Sequence, residues 1–165
     1  RVINPVSGTV LRGGLIQYDI FWPSQAFLTS EGMPSLENKL STFSSKRDPN
    51  DFSIQALISL GNFSGLLTGD MGKNMTDSVY PYLPNRSVQY IKVPHHGSKY
   101  GLTQNYLKWF MPKIAGISVG EKNAYGHPTK EILDILDDYK VRAFRTDQVG
   151  DVEVVTDGKN YWLKE

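Results

Sequence analysis

The sequence predicts an α/β fold, a sheet covered by helices on at least one face. Three observations predict it. From residue 53 onward, short apolar runs alternate with segments of helical periodicity. Glycine, proline and asparagine fall between those segments, where turns are needed. The length, 165 residues, suits one domain with a real core.

The elements follow in order. Leu15–Trp22 is apolar, partly alternating and stopped at Pro23, so it reads as a strand. The segment before it would add one or more strands. Residues 32–50 turn polar, with Pro34 and Pro49, and read as a long loop with a short helix around Leu36–Leu40. Ser53–Leu60 and Phe63–Thr68 are strands joined by Gly61-Asn62, a two-residue hairpin signal. Gly72–Tyr82 reads as a helix stopped near Pro84. Val88–Val93 is a strand. Leu102, Tyr106 and Phe110 recur every fourth residue, which makes 102–110 a short amphipathic helix. Ile114–Val119 is a strand. Ile132, Ile135, Leu136 and Tyr139 mark the apolar face of another helix, with Pro128 expected in its first turn. Val141–Arg145 is a strand. Val152–Thr156 and Tyr161–Lys164 form a hairpin around Asp157-Gly158.

Composition narrows the chemistry. Eighteen basic side chains against 17 acidic leave a net charge of +1, so bulk charge makes no case for a dedicated nucleic-acid or membrane-surface binder. With no cysteine, disulfides, thiolate-bound zinc, iron–sulfur clusters and thiol nucleophiles are excluded. No apolar run is long enough to span a bilayer, and no signal peptide is visible. The first residue is Arg1, which is read as a sign that something upstream is absent from this chain.

Three segments carry chemistry, and each follows a predicted strand. They are Leu66-Leu67-Thr68-Gly69-Asp70, Lys92-Val93-Pro94-His95-His96-Gly97-Ser98-Lys99 and Asn123-Ala124-Tyr125-Gly126-His127-Pro128. In layered α/β proteins, ligand sites assemble at strand C-termini. All three histidines fall in two of these loops. Carboxylate and neutral imidazole suit Zn²⁺, Mn²⁺ or Fe, and Asp70 has two oxygens with which to bridge a pair of ions. Adjacent side chains of an extended segment point apart, so one of His95 and His96 would ligate while the other faces substrate. Which one ligates is left open. His127 precedes a predicted helix start, where an anion is favoured and the imidazole tends to stay neutral. Ser98 and Lys99 offer a hydroxyl and a charge to phosphate. Arg145-Thr146-Asp147 follows another strand; Gly150 close behind favours a turn role for Asp147, and Arg145 would pair with Asp147 or line the cleft.

Taken together, these segments resemble a known family. Residues 66–70, 92–99, Ile-Ser-Val-Gly at 117–120, 123–128 and Arg-Thr-Asp at 145–147 look like the metallo-β-lactamase-fold domain of ComEC-type competence proteins and related stand-alone hydrolases. Asn50 and Ser53-Ile54 also match the entry into the hairpin strand. The resemblance covers residues 50–165, and 8–23 weakly. It implies a layered αββα sandwich with its metal site at one edge. It also implies a metal-dependent phosphodiesterase, nuclease-like and linked to DNA uptake, working through two Zn or Mn ions. In that scheme the metal ligands are Asp70, His95 and His96, and the catalytic candidates are His96 and His127. Ser98, Lys99, Asn123 and His127 would bind substrate, a phosphoester or single-stranded DNA.

The sequence departs from the family in one place. The family's first metal motif, H-x-[HD]-x-D-H, lies upstream, and no histidine precedes His95. Before Asp70 the aspartates are Asp19, Asp48 and Asp51, which form no substitute cluster. The chain is therefore expected to be the C-terminal portion of one such domain, with an incomplete metal site and no activity alone. Its expected partners are the missing N-terminal half and, through the face left bare, a second copy of itself. The competing expectations are a hydrolase of another phosphoester and a degenerate, non-catalytic interaction module. The parent's compartment stays open between membrane-anchored and exported.

Overall fold

The computed structural model describes residues 5–33 and 46–164. The helix expected around Leu36–Leu40 lies outside them. Seven strands form one mixed sheet in simple sequence order: β1 (Val10–Gly13), β2 (Ile16–Trp22), β3 (Gln55–Leu60), β4 (Phe63–Leu67), β5 (Tyr90–Lys92), β6 (Ile114–Ile117) and β7 (Arg142–Arg145). The pairs from β1 to β4 are antiparallel and those from β4 to β7 parallel. Outside this sheet, β8 (Glu153–Thr156) and β9 (Tyr161–Lys164) form a separate hairpin. The α/β expectation holds, as one large mixed sheet with helices.

Parallel neighbours need crossovers, and three helices supply them: α2 (Lys73–Val79), α3 (Gln104–Phe110) and α4 (Lys130–Asp138). All three pack on one face. Register puts Leu57, Leu66, Ile91 and Ala115 in a single row across β3–β6. That row meets Met75 and Val79 of α2, Tyr106, Leu107 and Phe110 of α3, and Ile132 and Leu136 of α4 in one buried cluster. The expected apolar spacing of α3 and α4 is the spacing that faces the sheet. On the other face the hairpin gives partial cover, with Tyr161 against Phe63 at 5.8 Å between ring centroids. Asn62 N also donates to Gly158 O at 2.6 Å. No helix among the described residues is long and apolar enough to cross a membrane.

Several boundaries differ from expectation, for identifiable reasons. A helix not expected from the sequence, α1 (Gln25–Ser30), follows Pro23, its first turn capped by the Ser24 hydroxyl accepting from Phe27 N at 3.1 Å. It spans six residues, too few for a periodic signal. Helix α3 starts at Gln104 because the Thr103 hydroxyl caps it. Pro128 is not in the first turn of α4. That helix begins at Lys130, and Thr129 N bonds back to Gly97 O at 2.9 Å, joining two loops of the site. Thr146–Val149 is not a turn but a single helical turn, α5, closed by Gly150 at φ 73°.

Candidate functional site

The parallel strands β4 to β7 all end at the same edge of the sheet, so the loops that follow them converge there. These loops carry Asp70, His95-His96, His127 and Arg145-Thr146-Asp147.

The first loop is fastened from below. Gly69 adopts φ 56°, and a Cβ there would stand 2.9 Å from the Ser53 Cβ, so only glycine fits. The Ser53 hydroxyl accepts from Asp70 N at 3.1 Å. Thr68 Oγ1 donates to Lys92 O at 2.7 Å. Beneath them lies a buried network. Gln55 donates through its amide to Thr68 O and accepts from the Tyr106 hydroxyl at 2.7 Å. Burial of the Tyr106 phenol pushes its pKa far up, so it remains a neutral donor.

Asp70 is the centre of the charged part. Its Oδ1 lies 3.1 Å from Lys92 Nζ, which also donates to Gly69 O at 2.8 Å. Its Oδ2 lies 3.2 Å from His96 Nε2. Burial raises the carboxyl pKa, but the Lys92 hydrogen bond and charge, then His96 and His95, outweigh it and hold the group below its ordinary value. His96 Nδ1 sits 2.7 Å from Ser118 O. A carbonyl only accepts, so Nδ1 carries a proton, and Nε2 is the nitrogen that faces Asp70. A carboxylate oxygen and Nε2 at this distance share either a proton or a cation. A ring nitrogen anchored on a backbone carbonyl is the usual support of a ligating histidine.

His95 and His96 are not extended, as the sequence suggested. Both are left-handed, at φ 51° and 55°. Two consecutive non-glycine residues in that region cost on the order of 1–3 kcal/mol each. The neighbouring Gly97, at φ 80°, packs so closely on Pro128 that a Cβ would stand 2.5 Å from it. The expected divergence of the two side chains still occurs, by this different route. His96 turns to Asp70, while His95 turns to His127, their ring centroids 6.2 Å apart and nearly perpendicular. The Nδ1 atoms of His95 and His127 are buried with no hydrogen-bond partner.

Asn123 shapes the His127 loop. Its amide donates to Gly120 O at 3.1 Å and His127 O at 3.0 Å, and its Oδ1 accepts from His127 N at 2.8 Å. Its side chain is thus occupied within the loop. Burial, then the charges of His95 and His96, hold the His127 pKa below its ordinary value, favouring neutral imidazole. The Tyr125 ring stacks on His127, 5.9 Å between centroids and 20° between planes.

Two other sequence candidates point elsewhere. Ser98 is 3% exposed, and its hydroxyl accepts from Tyr100 N at 3.3 Å, closing the turn. The Lys99 ammonium lies 5.0 Å from the Tyr100 ring centroid. Lys99 does share an open groove of about 810 Å³ with His95, Lys73 and Glu131. Lys92 and Ser53 act directly on Asp70 and its loop, yet the sequence reading assigned neither a role. Lys92 sits within the quoted His-His segment, and its position at the end of an apolar strand was the available signal.

The donor set fits part of a metal site. Asp70 Oδ2 and His96 Nε2 are suitable ligands for Zn or Mn. Among the described residues, no group of three or more His, Cys, Asp or Glu side chains is arranged to hold a metal ion.

No family model matches the sequence. A curated protein does. The chain is similar to ComE operon protein 3 of Bacillus subtilis (strain 168). The two are 36% identical over 104 residues, covering 63% of this chain. That stretch is 13% of the length of ComE operon protein 3, so the match spans about an eighth of that protein. The similarity is to a competence-operon protein, as the motif resemblance implied.

Proposed function

We propose that this chain supplies the second half of the active site of a metal-dependent phosphoester hydrolase, phosphodiesterase-like and linked to DNA uptake. One observation carries the reading. Asp70 and His96 arrive from adjacent parallel strands with Oδ2 and Nε2 3.2 Å apart, and the far nitrogen of His96 rests on the Ser118 carbonyl. Asp70 and His96 would hold the metal, Zn or Mn, together with ligands of the H-x-[HD]-x-D-H motif from residues outside this chain. When bound, such an ion polarises a phosphoryl oxygen and activates water.

The chain's own residues have separate tasks in this reading. Lys92 holds Oδ1 of Asp70, so Oδ2 is the oxygen presented beside His96. His127, neutral and backed by Tyr125, is suited to donating a hydrogen bond to a phosphoryl oxygen or to moving a proton. Asn123 and Ser98 act by holding loops, and Lys99 by its charge at the groove. The face of the sheet opposite α2, α3 and α4 would be covered by the upstream half, giving the αββα sandwich. The similarity to ComE operon protein 3 supports the link to competence.

The test is reconstitution. The chain, expressed together with its upstream segment, should bind divalent metal and cleave a phosphodiester reporter. Asp70→Ala should lower both metal content and turnover at least a hundredfold in rate, the scale seen when an essential catalytic group is removed. A metal-free product, or an unchanged Asp70→Ala variant, overturns the reading. Cleavage of a phosphomonoester or choline phosphoester in place of the diester would move the substrate but keep the fold and the site.

A further inference from the structure

Three rings run from solvent to the charged centre. Tyr125 stacks on His127 at 5.9 Å, His127 meets His95 at 6.2 Å, and His95 adjoins His96 on the chain. The outermost ring is 83% exposed. Other tyrosines are also exposed, including Tyr82 and Tyr100, but Tyr125 differs from them in two ways. One face of its ring is backed by the imidazole of a site residue, whereas Tyr100 has Lys99 over it. Its loop is also locked, because Asn123 bonds to Gly120 and to both backbone groups of His127, and Gly126 takes φ 68°.

An exposed ring carried on a braced loop and set nearly parallel to the His127 imidazole offers an open face as a stacking platform. The ordering cost of the loop is met in the free protein, so a planar ligand gains the contact with less further loss of entropy. The shape also selects the ligand. A quaternary ammonium is held by several rings set as a cage. A single flat ring suits a nucleobase, and aromatic stacking of that kind tolerates any base.

We propose that Tyr125 is a substrate-positioning subsite that stacks a nucleobase of single-stranded nucleic acid beside the scissile phosphodiester. This inference rests on the phosphodiesterase reading above and adds to that site a positioning residue that none of its other groups supplies. With the base on Tyr125, the neighbouring phosphate would be brought toward His127 and onward to Asp70 and His96.

The experiment is a binding measurement on the 165-residue chain, with chelator present so that metal plays no part. The probes are two fluorescein-labelled oligomers of equal length, single-stranded oligothymidylate and the same backbone without bases. The wild-type chain should bind the thymidylate oligomer about tenfold more tightly than the abasic one, the scale of one stacked base. Tyr125→Ala should remove that difference and leave abasic binding unchanged. Tyr125→Phe should restore it, because the ring and not the hydroxyl makes the contact. The exposed ring can be removed without unfolding the chain, and an unchanged melting curve checks this. Equal binding of the two oligomers by wild type, no binding of either, or an unaltered Tyr125→Ala variant overturns the proposal. Failure of the hydrolase reading has a different signature. The reconstituted domain would then lack metal and cleavage, while the base-dependent binding measured here would persist.

Discussion

The two halves of the single sheet differ in how they are held. In the parallel half, β4–β7, Leu66 and Ile91 are fully buried under three helices. In the antiparallel half, every residue of β1 is exposed, and Leu11, on the face opposite α2, α3 and α4, is 37% accessible. All the candidate chemistry sits on the buried half, at the ends of its strands. The difference teaches where positional accuracy comes from. A side chain can be held to a fraction of an ångström only on elements whose own packing leaves no alternative. The outer strands can stay loosely covered because nothing in the site depends on them directly.

The largest expected contrast follows from this. Ile91→Ala removes a core side chain between α-helices and sheet and should cost about 2–5 kcal/mol of unfolding free energy. Leu11→Ala, at the open edge, should stay within about 1 kcal/mol. Urea unfolding of the two variants, read by far-ultraviolet circular dichroism, measures both. Similar losses for the two would break the distinction between the halves.

A second and smaller effect concerns the link between them. Gln55 belongs to β3, on the antiparallel side, yet its side chain joins Tyr106 of α3 to the Thr68 carbonyl under the Asp70 loop. Tyr106→Phe keeps the ring and leaves Gln55 Oε1 buried without its donor. The expected cost is about 1–3 kcal/mol. Hydrogen exchange should show the loss locally, as faster exchange at Gly69 and Asp70. Global destabilisation with unchanged exchange there would mean that the network supports the core and not the site.

These contrasts also explain what the sequence could and could not reveal. The strands of the parallel half were legible because runs such as Ile114 to Ile117 are apolar on a short scale, and α3 and α4 because their apolar residues recur at helical spacing. The convergence of the three loops was legible too, since parallel strands put their following loops at one edge. The left-handed pair at His95 and His96 was not legible. Residue type argues against positive φ there, and only the packing of Gly97 on Pro128 shows the backbone being forced to turn. The grip of Lys92 on Asp70 depends on the β4–β5 register, which joins residues 22 apart in the chain. Helix α1 was too short to leave a period.

The smallest expected effect tests the far end of the buried half. After β7, Arg145 holds Asp147 through two contacts, 3.0 Å at Oδ1 and 2.6 Å at Oδ2. The hydrogen bond from Arg145, ahead of its charge, holds the Asp147 carboxyl below its ordinary value. A carboxyl with a depressed pKa in the folded chain stabilises it at pH values above the unfolded pKa, about 3.9. That contribution is lost as pH falls from there through the folded value, because the unfolded chain then binds the proton more readily. Asp147→Asn removes the titration. Wild type should therefore be the more stable at pH 6, with the gap to Asp147→Asn narrowing as acid is added below about pH 4. Other carboxylates, Asp70 among them, titrate in the same direction, so the difference between the two proteins isolates Asp147 from the background of acid unfolding. A gap constant with pH would show that the asparagine variant differs by packing alone. The ion pair would then add nothing to the rigidity that the helices and sheet already provide.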